Sequence, residues 1–218
     1  TIKRIKIQEY AYRLDNFGPD MSTFTAGVGM DVTKFVVTIE TDDGLRGSYA
    51  PHYGATGQAL AQVQAMAPAL LGMEASQREL IFEKLKLAFR HFDKTGIAAL
   101  DSALWDLAGK KHGVPVSELL GGYRQRLPVY ASTTSGQKTP GGLDSVERYA
   151  EFAETCMEQG IPAFKIHSFF DGDARTEIDI MTAVRARVGD GMKLMTDPAS
   201  SLPSFLAAVE VGRACDDL

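Results

Sequence analysis

The sequence of 218 residues has only two cysteines and no apolar run near the roughly 18 residues that a membrane-spanning helix requires. Its polar start, residues 1–6, lacks the apolar core of a signal peptide. We therefore expect a cytoplasmic protein without a membrane partner. Cys156 and Cys215 lie in separate helix-like segments, so we expect reduced, buried thiols rather than a disulfide. Because there is no CxxC pair, a structural zinc site is not expected either.

An excess of positive charge is also missing. Lys and Arg together number 23 and Asp and Glu number 28, which leaves a formal net charge of -5. A protein that grips nucleic acid or an anionic bilayer through a broad surface has the opposite balance. With 44% hydrophobic and 23% charged residues, the composition is typical of a globular protein with a real core. Small molecules are therefore the expected partners.

The first 125 residues have the pattern of an α+β domain. We predict an antiparallel meander with strands at 2–13, 34–40 and 45–50, then helices near 58–71, 76–89 and 95–112. Between the first two strands, residues 17–30 contain several glycines and read as a loop. This loop is interpreted either as a mobile connection or as a lid over a pocket.

Beyond residue 126, short apolar strands alternate with helices. We predict strands at 128–131, 161–167 and 192–197 and helices at 143–159, 174–188 and 202–216. Three such βα units predict a parallel sheet. Neither G-x-G-x-x-G nor a P-loop sequence follows these strands, so a barrel is favoured over an open nucleotide-binding sheet.

Ionisable residues stand at the ends of two of these strands. The two-residue period of a strand puts Lys165 and His167 on one face, and the apolar Phe164 and Ile166 on the other. Asp197 ends the next strand. Each residue alone is well explained by a strand that meets a polar loop or turn. Together they place a cation, an imidazole and a carboxylate at one barrel mouth, where catalytic groups lie, and they suit removal of a proton beside a carboxylate.

A longer stretch carries a family resemblance. Residues 98–110, AALDSALWDLAGK, followed by GVPV at 113–116 and LLGG at 119–122, closely resemble the mandelate racemase and muconate lactonising branch of the enolase superfamily. The resemblance continues through the two strands that end near His167 and Asp197. It implies an α/β architecture: an α+β capping domain, residues 1–125, followed by the first three βα units of a (β/α)7β TIM-like barrel, residues 126–218. Since eight units need roughly 240 residues, the barrel is expected to be truncated.

The resemblance also implies a chemistry. In that family Mg²⁺ binds the substrate carboxylate and a base removes the α-proton to give an enediolate. Lys165 and His167 match the family's K-x-K pair, with His167 in place of the second lysine, and Asp197 matches its first Mg²⁺ ligand. A neutral imidazole is a competent base near pH 7. Substrate contacts are expected from five side chains at the barrel mouth, although the last three also fit a turn after a strand: His52, Tyr53, Ser132, Thr133 and Thr134.

The expected protein is thus a homo-oligomeric, Mg²⁺-dependent enzyme that dehydrates a small carboxylate substrate, a sugar acid. Racemisation, epimerisation and cycloisomerisation share the same first half-reaction and stay open. A Schiff-base aldolase with Lys165 as nucleophile is a second enzymatic alternative. The third alternative is a non-catalytic fragment or binding module.

Overall fold

The computed structural model describes residues 1–17, 24–51, 56–133, 141–169, 171–216 and 218. They divide into two compact units, the first made of Thr1–Arg13 and Asp31–Gln125, the second of Leu14–Met30 and Arg126–Leu218. The second unit thus includes residues 14–30, which the sequence had assigned to the cap. The domain roles predicted for residues 1–125 and 126–218 stay predictions. Across the described ranges, none of the helices has both the length and the apolar character to cross a bilayer.

The chain begins with a three-stranded sheet in the order β1 (Ile2–Phe17), β2 (Phe24–Thr41) and β3 (Arg46–Tyr49). β2 and β3 are antiparallel. Two ion pairs link β1 to β2, from Arg4 to Glu40 at 2.7 Å and from Arg13 to Asp31 at 3.4 Å, and their order along the strands shows that this pair is antiparallel as well. The predicted meander is therefore confirmed.

β1 and β2 are longer than predicted. Residue 17 and residues 24–30, which the sequence assigned to a loop, are strand. The glycines that suggested a loop are accommodated locally, because Gly27 has a φ of +76° and its N–H donates to Asn16 Oδ1 at 3.0 Å. Residues 18–23, the remaining part of the predicted lid, lie outside the described residues.

Four helices follow in the first unit: α1 (Thr56–Leu70), α2 (Arg78–Ala88), α3 (Thr95–His112) and α4 (Val116–Leu119). The first three agree with the predicted segments to within about two residues. The single turn of α4 is too short to show a hydrophobic period and was not predicted. α3 ends as predicted at Gly113, which has a φ of +68° and donates its N–H to the last helical carbonyls.

The helix that carries the family resemblance, α3, packs tightly on β3. A Cβ at Gly47 would lie 2.1 Å from the carbonyl oxygen of Ala103, so only glycine permits this approach. Asp106 Oδ2 accepts the N–H of Ser48 at 2.7 Å and an ion pair from Lys110 at 2.6 Å. A glycine in β3 and a carboxylate in α3 therefore hold strand and helix together.

The second unit contains a parallel sheet in the order β4 (Ala131–Ser132), β5 (Ala163–Ile166) and β6 (Lys193–Thr196). Helices α5 (Val146–Glu158), α6 (Ala174–Val188) and α7 (Phe205–Cys215) alternate with these strands. The predicted alternation and parallel pairing are confirmed. The first strand was predicted at 128–131 but lies at Ala131–Ser132, which leaves Pro128, a residue without an N–H to pair, outside it.

The core of the second unit lies between the sheet and α5 and α6. Phe164 and Ile166 are fully buried, as their predicted face requires. Side-chain oxygens cap the first turns of three helices: Ser145 accepts the N–H of Arg148 in α5, Asp173 caps α6 and Ser204 caps α7. Both cysteines are free thiols; Cys156 is buried as predicted, whereas Cys215 is only half-buried.

Candidate active site

Three ionisable side chains meet at the carboxyl edge of the parallel sheet. Lys165 projects from β5, His167 follows its last residue, and Asp197 follows β6. Asp197 Oδ2 lies 3.0 Å from Lys165 Nζ and 3.0 Å from His167 Nε2. Their exposed fractions are 20% for Lys165, 21% for His167 and 42% for Asp197, so solvent reaches all three. The structure therefore brings together the three residues that the sequence placed at one mouth.

The charges of this group reinforce each other. The hydrogen bond from Lys165, the N–H of Ala199 and the contact with His167 lower the pKa of Asp197 to about 2. The hydrogen bond to Asp197 in turn raises the pKa of Lys165 above its usual value. At neutral pH the pair is a carboxylate and an ammonium. Lys165 Nζ also lies 5.5 Å from the ring centre of Tyr130.

The imidazole of His167 is oriented by a main-chain carbonyl. Its Nδ1 lies 2.5 Å from the carbonyl oxygen of Thr133. A carbonyl oxygen can only accept a hydrogen bond, so Nδ1 carries the proton. Nε2 is consequently the ring nitrogen directed at Asp197, and because a carboxylate can only accept, it donates a hydrogen bond to Asp197 Oδ2 in this geometry.

Two buried side chains fix the main chain of His167. Thr133 Oγ1 accepts the N–H of His167 at 2.7 Å and donates to its carbonyl oxygen at 3.2 Å. The hydroxyl of Tyr149, a fully buried residue on α5, donates to the same carbonyl at 2.6 Å. Thr133 is 4% exposed and its hydroxyl is used in this way. It therefore supports His167 instead of facing a ligand, which differs from the predicted substrate contact.

Of the other four predicted contact residues, the structure describes only Ser132. Ser132 is exposed, and its hydroxyl donates a long bond of 3.4 Å to the carbonyl of Thr133, so it is accessible to a ligand. His52, Tyr53 and Thr134 lie outside the described residues, and their contacts stay predictions.

Tyr149 and Glu177 also belong to this edge and were not predicted from the sequence. Tyr149 lies on the buried face of α5, where an aromatic residue is normally core, so its hydroxyl gave no signal. Glu177 did leave one, because it occupies the first position of an apolar stripe on α6 that continues at Ile180, Met181, Val184 and Val188. A carboxylate at such a position is buried only when it has partners.

The candidate site offers one of the ligands that Mg²⁺ requires. This ion prefers carboxylate oxygens and usually keeps waters and substrate oxygens as further ligands. Asp197 fits as one ligand, since it is ionised and stands at the open edge of the sheet. Within the described ranges, however, no group of three or more His, Cys, Asp or Glu side chains could hold a metal ion. These residues alone do not complete a magnesium site.

The structure is that of an α/β protein with two units. The polar groups of the candidate site lie at the carboxyl ends of the parallel strands in the second unit. Residues 21–121 match the family model of the mandelate racemase / muconate lactonizing enzyme N-terminal domain. Residues 21–121 therefore belong to this family, within the enolase superfamily. The resemblance carried by α3 is thereby confirmed.

Similar proteins extend across both units. The chain is 29% identical over 207 residues to the 3,6-anhydro-alpha-L-galactonate cycloisomerase of Streptomyces coelicolor, covering 90% of this chain and 54% of the relative. It is 30% identical over 191 residues to the L-talarate/galactarate dehydratase of Salmonella typhimurium, covering 84% and 46%. The chain therefore spans about half the length of these curated relatives.

A solved structure also matches nearly the whole chain. The D-glucarate dehydratase from Agrobacterium tumefaciens complexed with magnesium superposes with a TM-score of 0.81 at 25% identity. The match covers 99% of this chain and 58% of that one. The α/β fold of the chain is thus shared with a dehydratase that is roughly 1.7 times as long as this chain.

Proposed function

We propose that the protein is a Mg²⁺-dependent enzyme that removes the proton α to the carboxylate of a sugar acid and eliminates a β-hydroxyl as water. The contact of Asp197 with both Lys165 and His167 carries this proposal, because it collects a base, a cation and a metal-type ligand at adjacent strand ends. Relatives named as dehydratases of galactarate and arabinonate support the choice of substrate class.

His167 is the proposed base. Its Nδ1–H is held by the carbonyl of Thr133, and Nε2 would accept the α-proton once its hydrogen bond to the carboxylate of Asp197 is given up. The ammonium of Lys165 attracts the substrate carboxylate and stabilises the negative charge that develops on it. Asp197 would be one of the residues that hold Mg²⁺, which when bound supplies further positive charge at the same carboxylate.

We also propose that residues 126–218 form the first three βα units of a (β/α)7β barrel. The parallel order β4-β5-β6 and the superposition on a longer dehydratase support this architecture. In it, Ser132 would lie at the barrel mouth, while the substrate contacts of His52, Tyr53 and Thr134 stay predictions. The cytoplasmic location and homo-oligomeric assembly stay predictions.

The structure favours proton abstraction over Schiff-base chemistry. An aldolase lysine must be unprotonated to attack a carbonyl. Asp197 instead raises the pKa of Lys165 and keeps it an ammonium. Racemisation, epimerisation and cycloisomerisation begin with the same proton abstraction, and the family includes proteins named for such reactions. The product of the reaction therefore decides between them and dehydration.

The test is a panel of sugar acids incubated with the complete protein and Mg²⁺. We expect a 2-keto acid to form from at least one of them, to be detected as its hydrazone, and to disappear when a chelator removes the metal. An isomer of the substrate without keto acid would replace dehydration by isomerisation. Activity that persists in chelator, together with borohydride trapping at Lys165, would contradict the proposal and favour the aldolase.

A further inference from the structure

A buried carboxylate lies directly beneath the candidate site. Glu177, on α6, is 2% exposed. It accepts hydrogen bonds from two hydroxyl groups, Ser168 Oγ at one carboxylate oxygen and Thr196 Oγ1 at the other, the latter at 2.9 Å. Burying a carboxylate is unfavourable unless its oxygens are hydrogen-bonded, so these two contacts account for its presence in an apolar stripe.

The two hydroxyl groups come from the two strand ends that carry the site. Ser168 is the residue after His167, and Thr196 is the residue before Asp197. Successive side chains of an extended chain point to opposite sides. Ser168 and Thr196 therefore reach toward α6, while His167 and Asp197 meet each other at the open edge.

Ladder hydrogen bonds hold these strand ends together only up to this point. The last paired residues of β5 and β6 are Ile166 and Thr196, and the N–H of Asp197 donates to the carbonyl of Ile166 at 2.8 Å. His167 and Ser168 follow beyond the ladder. The carboxylate of Glu177 links Ser168, beyond the end of β5, to Thr196 of β6, because each of its two oxygens accepts a hydrogen bond from one of them.

We propose that Glu177 is a positioning residue that sets the contact between His167 Nε2 and Asp197 Oδ2. An apolar residue would fill the same space but could not tie the two strand ends together. Glutamine retains one acceptor and adds one donor, and the Thr196 hydroxyl can rotate to accept from it. The geometric statement stands by itself, whereas its importance for catalysis rests on the proposed function.

The experiment measures the contact between His167 and Asp197 directly by NMR on the full chain. The chain has four histidines, and His167→Gln assigns the ring signal of interest. The change in that signal caused by Asp197→Asn is then measured in six backgrounds, as a double-mutant cycle at one fixed pH. These backgrounds are the wild type, Glu177→Gln, Glu177→Leu, Ser168→Ala, Thr196→Val and, as a matched control on α6, Asp179→Asn.

We expect a full response to Asp197→Asn in the wild type, in Glu177→Gln and in the control. In Glu177→Leu, Ser168→Ala and Thr196→Val the response should fall by roughly half or more, because the strand ends are no longer tied. A full response in Glu177→Leu, Ser168→Ala and Thr196→Val would overturn the proposal. If Glu177→Leu does not fold, the two hydroxyl variants decide in the same way, since each removes one donor only.

Solvent exchange of the substrate α-proton, measured on the same variants, separates this inference from the proposed function. A wild-type protein without exchange would contradict the proposed function and leave the NMR result intact. If exchange occurs, we expect Glu177→Leu to lower kcat by about 10-fold or more with little change in KM, and Glu177→Gln to restore most of it. An unchanged kcat in a variant that has lost the contact would overturn the catalytic part of the inference.

Discussion

Lys165 Nζ and Asp197 Oδ2 lie 3.0 Å apart although 32 positions separate the two residues in the sequence. Parallel pairing of β5 and β6 brings the two strand ends side by side. The strand period then decides which side chains meet, because Lys165 shares the open face while Phe164 and Ile166 are buried under the helices. This contact is the basis of several expected properties.

Replacing Lys165 should release the carboxyl group of Asp197. The hydrogen bond from Lys165 is the main cause of the low Asp197 pKa of about 2, so Lys165→Met is expected to raise this pKa toward its ordinary value of 3.8. A carbon-detected NMR titration of the carboxyl group measures the change. Lys193→Met, which alters an exposed lysine of β6, is the matched control. An Asp197 pKa that stays near 2 without Lys165 would assign the shift to another group.

Asp197 should also give the folded protein a dependence on acid pH. Its folded-state pKa lies below the ordinary value, so the folded state binds the proton more weakly than the unfolded state. The resulting stabilisation is fully present above about pH 4 and is lost as the pH falls toward about 2. Urea unfolding over this acid range should show a smaller pH dependence for Asp197→Asn than for the wild type. Identical slopes for the two proteins would contradict this expectation.

The close approach of β3 to α3 predicts a large effect of one methyl group. Gly47→Ala would place its Cβ against the carbonyl oxygen of Ala103, and we expect a loss of about 2–3 kcal/mol in the free energy of unfolding. Gly57→Ala is the control, because a Cβ there meets nothing within 4 Å and the residue lies in α1. It should change stability by no more than about 1 kcal/mol, on the favourable side. Equal effects of the two substitutions in urea unfolding would refute the packing argument.

The two thiols are expected to be unreactive in the native protein. Burial raises the pKa of both Cys156 and Cys215, so little thiolate forms at neutral pH. A thiol reagent should label both only slowly, with Cys215 ahead because it is less buried. Both should react at once after unfolding in urea. Rapid labelling of Cys156 in the folded state would show that its surroundings are open.

Much of the fold could be predicted because its signals are local. The helical period identified α3, and the two-residue period separated Lys165 from Phe164 before any pairing was known. The glycines in residues 17–30 wrongly predicted a loop over residues 24–30. These residues belong to β2, which continues through Gly27 although this glycine has a positive φ. β4 was misplaced for a different reason, since only two residues pair there and a short apolar run does not show which ones.

The support of the candidate site could not be predicted to the same degree. Thr133 reaches His167 because the parallel pairing of Ser132 with Lys165 puts Thr133 level with Ile166, the residue before His167. The contacts of Tyr149 likewise depend on how α5 packs over the sheet. Glu177 was visible as a carboxylate in an apolar stripe, but its two hydroxyl partners come from different strands. Such contacts follow from tertiary structure and leave no pattern in a single segment.

In the proposed function, Lys165, His167 and Asp197 form one proton-transferring site. The most direct measurement is the exchange of the substrate α-proton with deuterium from D₂O, followed by NMR for the complete protein with Mg²⁺ and a sugar acid that it turns over. We expect exchange in the wild type and a loss of at least about 100-fold in His167→Ala and in Lys165→Ala. Exchange at the wild-type rate in both variants would contradict the assignment of this site.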